Sequence, residues 1–185
     1  MCLMVWVGTE QPVPPVSRAE DAGTSSDGYF TVSEVPPDAP VRGRFPSPHV
    51  TYVGSHEGCG CGFNSGALAF EGVESEAELA GLLGALTDEE RAEYAAERRS
   101  RERLCAIVRA AAAAGAVYVY ACWAGDEAEP HVAEERPDPG WLLERTAPLE
   151  ERIRYVVTHA SGAEPGRHGP TELAFASATT PGDTA

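Results

Sequence analysis

The sequence predicts a single α/β or α+β domain, a mixed sheet of about four to five strands with two helices packed on one face. Three observations lead there. Runs rich in β-branched and aromatic residues at 2–7, 49–54, 116–123 and 153–159 have the composition of strands. Two capping boxes, Ser75 with Glu78 and Thr87 with Glu90, each open a helical pattern. Both helices fall between the strands at 49–54 and 116–123, which makes that stretch a crossover unit.

Residues 2–7 are apolar throughout and include Val5, Trp6 and Val7, which suits a buried strand. Residues 8–28, with Pro12, Pro14, Pro15 and many small polar side chains, read as a loop. A short strand over 29–35 stops at Pro36 and Pro37. Pro40, Pro46 and Pro48 then make the next stretch ordered but irregular. In the first helix Leu79, Leu82, Leu83 and Leu86 form one apolar stripe. In the second, Leu104, Ile107, Val108 and Ala111 repeat the spacing, and Gly115 is the expected C-cap. The strand at 116–123 alternates valine and tyrosine and ends in the acidic turn Gly125, Asp126, Glu127. Trp141, Leu142 and Leu143 suggest one helical turn. The last strand puts Ile153, Tyr155 and Val157 on one side. The expected domain is 1–159, followed at 160–185 by a flexible or docked tail.

Charge narrows the function. The net charge is −15 and all 14 basic residues are arginine, so there is no lysine for a Schiff base or a phosphate loop. Arg98, Arg99, Arg101 and Arg103 stand among Glu93, Glu97 and Glu102 on the second helix, where ion pairing on a solvated face is expected. An acidic surface repels phosphate backbones, so no nucleic-acid partner is expected. No apolar run approaches the ~20 residues of a membrane span. Five cysteines do not make a secreted disulfide framework, and the first residues lack a basic signal-peptide start. A reducing, cytoplasmic setting is the expectation.

Residues 56–62 hold the chemistry: His56, Glu57, Cys59 and Cys61, with glycine at 58, 60 and 62. If the strands at 49–54 and 116–123 are parallel neighbours, both end at one edge of the sheet. Cys59 and Cys61 follow the first, and Cys122 lies near the end of the second. An antiparallel N-terminal strand would start at that edge with Cys2. The candidate metal ligands are therefore Cys59, Cys61, Cys122, Cys2 and His56, for zinc, iron or copper. If the site is enzymatic, Glu57 or Asp126 would handle protons. The partner would then be a metal ion or a small molecule. Two alternatives stay open: a metal-free thiol or redox protein using Cys59 and Cys61, and a small acidic module that binds a basic protein. Plainer readings stand beside these. A strand cysteine such as Cys122 is commonly inert packing, Cys105 sits in the helix stripe as core, and acidic turns are usually solvated.

The Met-Cys start resembles the glutamine amidotransferases of the N-terminal nucleophile class, in which that cysteine attacks an amide. Leu3 and Met4 depart from the glycine and isoleucine of that pattern. More broadly, the Met-Cys start, Gly-Ser-His-Glu-Gly-Cys-Gly-Cys-Gly-Phe and Ala-Cys-Trp-Ala-Gly-Asp-Glu are similar to blocks of a small bacterial protein family with no established activity. That resemblance implies no function here.

Overall fold

The computed structural model describes residues 2–17, 29–64, 76–144 and 148–159. At its centre β1 (Leu3–Thr9) lies between β3 (His49–Gly54) and β4 (Val117–Trp123), antiparallel to both. β2 (Thr31–Glu34) pairs antiparallel with β3, and β6 (Ile153–Val157) pairs antiparallel with β4. β5 (Ala133–Glu135) closes the far edge parallel to β6, giving the order β2-β3-β1-β4-β6-β5. The helices are α1 (Glu76–Ala85), α2 (Asp88–Ala112) and the single turn α3 (Trp141–Glu144).

This is the expected α+β domain, with differences that matter. The sheet has six strands, because β5 (Ala-Glu-Glu) carries no apolar signal. β3 and β4 are not neighbours; β1 lies between them. Since each runs antiparallel to β1, both still end at the edge where β1 begins. The expected rim survives by another route. The described residues contain one sheet, not the four-layer sandwich of the amidotransferase comparison.

Strand side chains alternate faces. Leu3, Val5 and Val7 point to the side covered by Leu104, Cys105, Val108 and Ala112 of α2 and by Trp141 and Leu142 of α3. Leu104 and Val108 are fully buried, each worth about 2 kcal/mol of apolar transfer. Trp6, Val50, Tyr120 and Cys122 point to the other side, where the 3₁₀ turn Pro40–Arg44 packs instead of an α-helix among the described residues. Val35, Val41 and Phe45 from the proline-rich segment close it. That segment is ordered through Arg42, whose guanidinium donates to the carbonyls of Val35, Pro36 and Pro48.

α2 begins as its capping box predicts: Thr87 Oγ1 accepts from the Glu90 N–H, and the Glu90 carboxylate accepts from the Thr87 N–H. It ends at Ala112, with Ala113 as a right-handed cap. Gly115 does not form a left-handed cap; a Cβ there would stand 2.7 Å from Glu10 Cγ. Part of the expected apolar stripe of α1 is not covered. Leu82 is 41% exposed, and Leu83 and Leu86 are half-buried. The arginine cluster is also not wholly solvated. Arg98 pairs with Glu102 at the surface, but Glu97 is buried and pairs with Arg101, whose Nε donates to Phe63 O at 2.7 Å. Among the described residues, no helix is long and apolar enough to cross a membrane. Ser75 and the expected tail at 160–185 lie outside the described residues.

Candidate metal centre

The loop after β3 is built by its own backbone. Ser55 N–H donates to Cys59 O at 2.9 Å, and Gly58 N–H donates to Ser55 O at 2.9 Å. Ser55 Oγ adds a bond to Cys59 O at 2.5 Å and accepts from Glu57 N–H at 3.2 Å. Gly58 takes φ 78°, which a residue with a Cβ adopts only under strain. The chain then enters a 3₁₀ turn, Gly60–Phe63. Phe63 is fully buried in the core, and its carbonyl is held by Arg101. Asn64 ties the far end to the segment before β6, donating to Leu149 O at 2.6 Å.

Close packing accounts for the other two glycines. A Cβ at Gly60 would lie 2.6 Å from Val5 Cγ2 and 2.9 Å from Leu3 O, so the loop backbone rests directly on β1. That approach lets Leu3 N–H donate to Cys61 Sγ at 3.2 Å.

Two ligand groups result. Glu57, Cys59 and Cys61 bring a carboxylate oxygen and two sulfurs within 4.8 Å of one another. His56, Glu57 and Glu93 do the same with one ring nitrogen and two carboxylates. His56 is buried and held at both nitrogens by α2. Nε2 lies 2.7 Å from Glu93 Oε1, and Nδ1 lies 3.2 Å from Ser100 Oγ. The backbone N–H of His56 donates to the same hydroxyl at 3.0 Å.

Burial, and then the neighbouring sulfurs of Cys61 and Cys2, push the Cys59 thiol up to about 12, against a lowering by the Cys61 N–H. Tyr52 is also pushed up to about 12, first by burial and then by Cys59, Cys2 and Cys61. Its hydroxyl donates to Gly58 O at 3.2 Å. Each anion formed here disfavours the next.

The remaining candidates are placed as follows. Cys2 is exposed at the same rim, close enough to act electrostatically on Cys59, and its carbonyl accepts from Ala124 N–H at 2.9 Å. It belongs to neither ligand group. His56 joins the carboxylates rather than the sulfurs. Cys122 does not meet the others. It is fully buried on the opposite face with Trp6 and Tyr120, and burial, then Glu127 and Asp126, push its thiol up to about 11. Asp126 sits in the turn after β4, its N–H on Trp123 O and its carbonyl accepting from Glu129, and belongs to neither group. Glu93 and Ser100 were missed by sequence reasoning. A signal existed: counting back from Leu104 by four, seven and eleven reaches Ser100, Glu97 and Glu93, a polar run in line with the core stripe.

No family model, curated protein or solved structure matches the chain. The chemistry therefore rests on the residues themselves. Two sulfurs with a carboxylate suit a borderline ion such as zinc or ferrous iron, while an imidazole with two carboxylates suits a harder one.

Proposed function

We propose that this is a metal-binding protein whose ion sits on Cys59, Cys61 and Glu57. The observation that carries the reading is the convergence of those three donor atoms within 4.8 Å. The backbone N–H of Leu3, aimed at Cys61 Sγ from 3.2 Å, supports it, since such a donor stabilises thiolate charge. Three ligands fill all but one position of a tetrahedral zinc shell. Cys2, at the same rim, is the candidate for the last; otherwise that position is left for water or a small molecule. The carboxylate favours zinc or iron over cuprous copper. A bound ion with an open position supplies Lewis-acid chemistry. Beside it, His56 and Glu93, 2.7 Å apart, are the groups that could hold a proton.

The test is elemental analysis of protein purified without chelator or affinity nickel, followed by cobalt substitution. The expected result is a bound transition metal and an intense sulfur-to-cobalt band, lost in Cys59→Ser and Cys61→Ser. Under about a tenth of an equivalent of any transition metal after reconstitution removes the reading. A metal-free thiol role draws support from the closeness of the two sulfurs. It ranks second, because one of the two thiols, Cys59, is pushed up to about 12 and stays protonated at neutral pH, and the thiolate is the nucleophile.

A further inference from the structure

We infer that His56, Glu57 and Glu93 form a second cation site, and that Glu57 bridges it to the thiolate site so that the centre takes two ions. The bridging rests on the reading above; the His56–Glu93 site does not. Three features of the geometry argue for it.

First, His56 is set as metal-binding histidines are set. Such a ring donates its outer N–H to a fixed oxygen and turns the other nitrogen to the ion. Ser100 Oγ has two lone pairs, enough to accept both the His56 backbone N–H at 3.0 Å and Nδ1–H at 3.2 Å. Without an ion, Nε2–H donates to the Glu93 carboxylate and Nδ1 accepts from Ser100 Oγ–H; an ion would select the other tautomer, with the proton on Nδ1 and the Nε2 lone pair turned toward Glu93.

Second, the 2.7 Å separation of Nε2 and Glu93 Oε1 needs one shared proton. A divalent ion in place of that proton meets a nitrogen and an oxygen already converged. At bond lengths of about 2.0–2.2 Å, donor atoms spread to roughly 3–4 Å, so side-chain rotation alone makes room. Glu93 is half exposed, which opens a way in from solvent, while His56 stays anchored.

Third, Glu57 belongs to both ligand groups and is exposed. A carboxylate has two oxygens and can offer one to each ion. Two-metal sites place their ions about 3.5–4 Å apart, a span that a carboxylate bridges. The two halves also differ in kind. Sulfur ligands select softer ions, and the imidazole with two carboxylates accepts manganese or magnesium-like ions as well. Two ions of unlike preference are the result.

The experiment uses the full chain, with cobalt binding followed by equilibrium dialysis and absorption, and manganese binding followed by electron paramagnetic resonance. Wild type is expected to bind two equivalents of cobalt, only one of them producing the sulfur-to-cobalt band. Glu93→Gln, which keeps a hydrogen-bonding group at a half-exposed position, should drop to one equivalent with the band unchanged. The Cys59→Ser, Cys61→Ser double variant should lose the band, yet still bind manganese and broaden the His56 ring resonances. Circular dichroism checks that each variant is folded. One equivalent in wild type, unaltered by Glu93→Gln, overturns this inference and leaves the thiolate reading standing. Manganese bound at His56 with no sulfur band at any cobalt load overturns the thiolate reading and the bridge, and leaves the second site. Manganese binding indifferent to Glu93→Gln means that the pair is only a hydrogen-bonded contact, and the second site fails.

Discussion

Gly62 lies directly against the imidazole of His56: a Cβ at that position would stand 2.6 Å from Cε1 and 2.8 Å from Nδ1. The ring has no easy retreat, because Ser100 and Glu93 hold its two nitrogens. Gly62→Ala is therefore expected to destabilise the fold by about 1–3 kcal/mol and to displace the His56 ring. Gly58→Ala should act differently. Nothing lies within 4 Å of a Cβ there, so the cost of about 1–2 kcal/mol comes from its φ of 78° alone. Denaturant unfolding gives both costs, and the His56 ring resonances separate them: they move in Gly62→Ala and stay in Gly58→Ala. Unmoved resonances in Gly62→Ala would mean that the ring is not held where it is placed.

Cys122 stands on the opposite face of the sheet from α2, packed with Trp6 and Tyr120 and bonded to Trp123 O at 3.4 Å. Its sulfur serves the core. Cys122→Ala should cost about 1–2 kcal/mol through a small cavity, and the sulfur-to-cobalt band should keep its full intensity. Metal titration beside thermal unfolding checks both. A weakened band would return Cys122 to the metal shell.

Much of this arrangement was legible in residue order, and what was lost has physical causes. β1, β3, β4, β6 and the start of α2 declare themselves through β-branched runs and a capping box, because local chemistry decides them. Strand order is not local. Nothing in the strands at 49–54 and 116–123 says that β1 inserts between them, though the antiparallel pairing of both to β1 returns their ends to one rim. The thiol pair and Glu57 lie within five residues and are legible as one loop, though the sequence suggests Glu57 as a proton carrier and the structure groups it with the sulfurs. Glu93 is separated from His56 by 37 residues and meets it only because α2 lies across the loop. Cys122 misled because strand alternation fixes a face only once the neighbouring faces are known. Leu82, 41% exposed, shows that spacing alone does not guarantee burial.

The buried pair of Glu97 and Arg101 fastens α2 to the turn that carries the cysteines. Arg101 neutralises a carboxylate that is 2% exposed, and its Nε holds Phe63 O. Arg101→Met removes both at once and leaves Glu97 charged in the interior. Stability should fall by about 3–5 kcal/mol. Replacing both partners, in a Glu97→Leu, Arg101→Met chain, should recover a large part of that loss, since an apolar pair carries no desolvation penalty. A double-mutant cycle by urea unfolding measures the recovery. If the double variant is no more stable than the single one, the cost lies in the lost Phe63 anchor rather than in the stranded charge.

Alkaline pH should weaken the fold, and metal should protect it. Cys59, Tyr52 and Tyr120 are each raised to about 12 and Cys122 to about 11, all led by burial. The unfolded chain gives up the thiol protons from about pH 8 upward and the phenol protons from about pH 9 upward, while the native state keeps them. The unfolded state therefore binds fewer protons in that range, and stability falls as pH rises. Below about pH 7 these groups contribute no slope; from about pH 8, where the unfolded thiols begin to ionise, to about pH 12 the urea midpoint should drop steadily, and less steeply in Tyr120→Phe and Cys122→Ala. The same raised thiol sets the pH dependence of metal binding. Cys59 enters neutral solution protonated, and an ion must displace that proton, so apparent affinity should climb about tenfold per pH unit on account of this thiol alone. Zinc affinity measured by competition from about pH 6 to 8 checks it. A flat profile would show that the ion does not bind through Cys59.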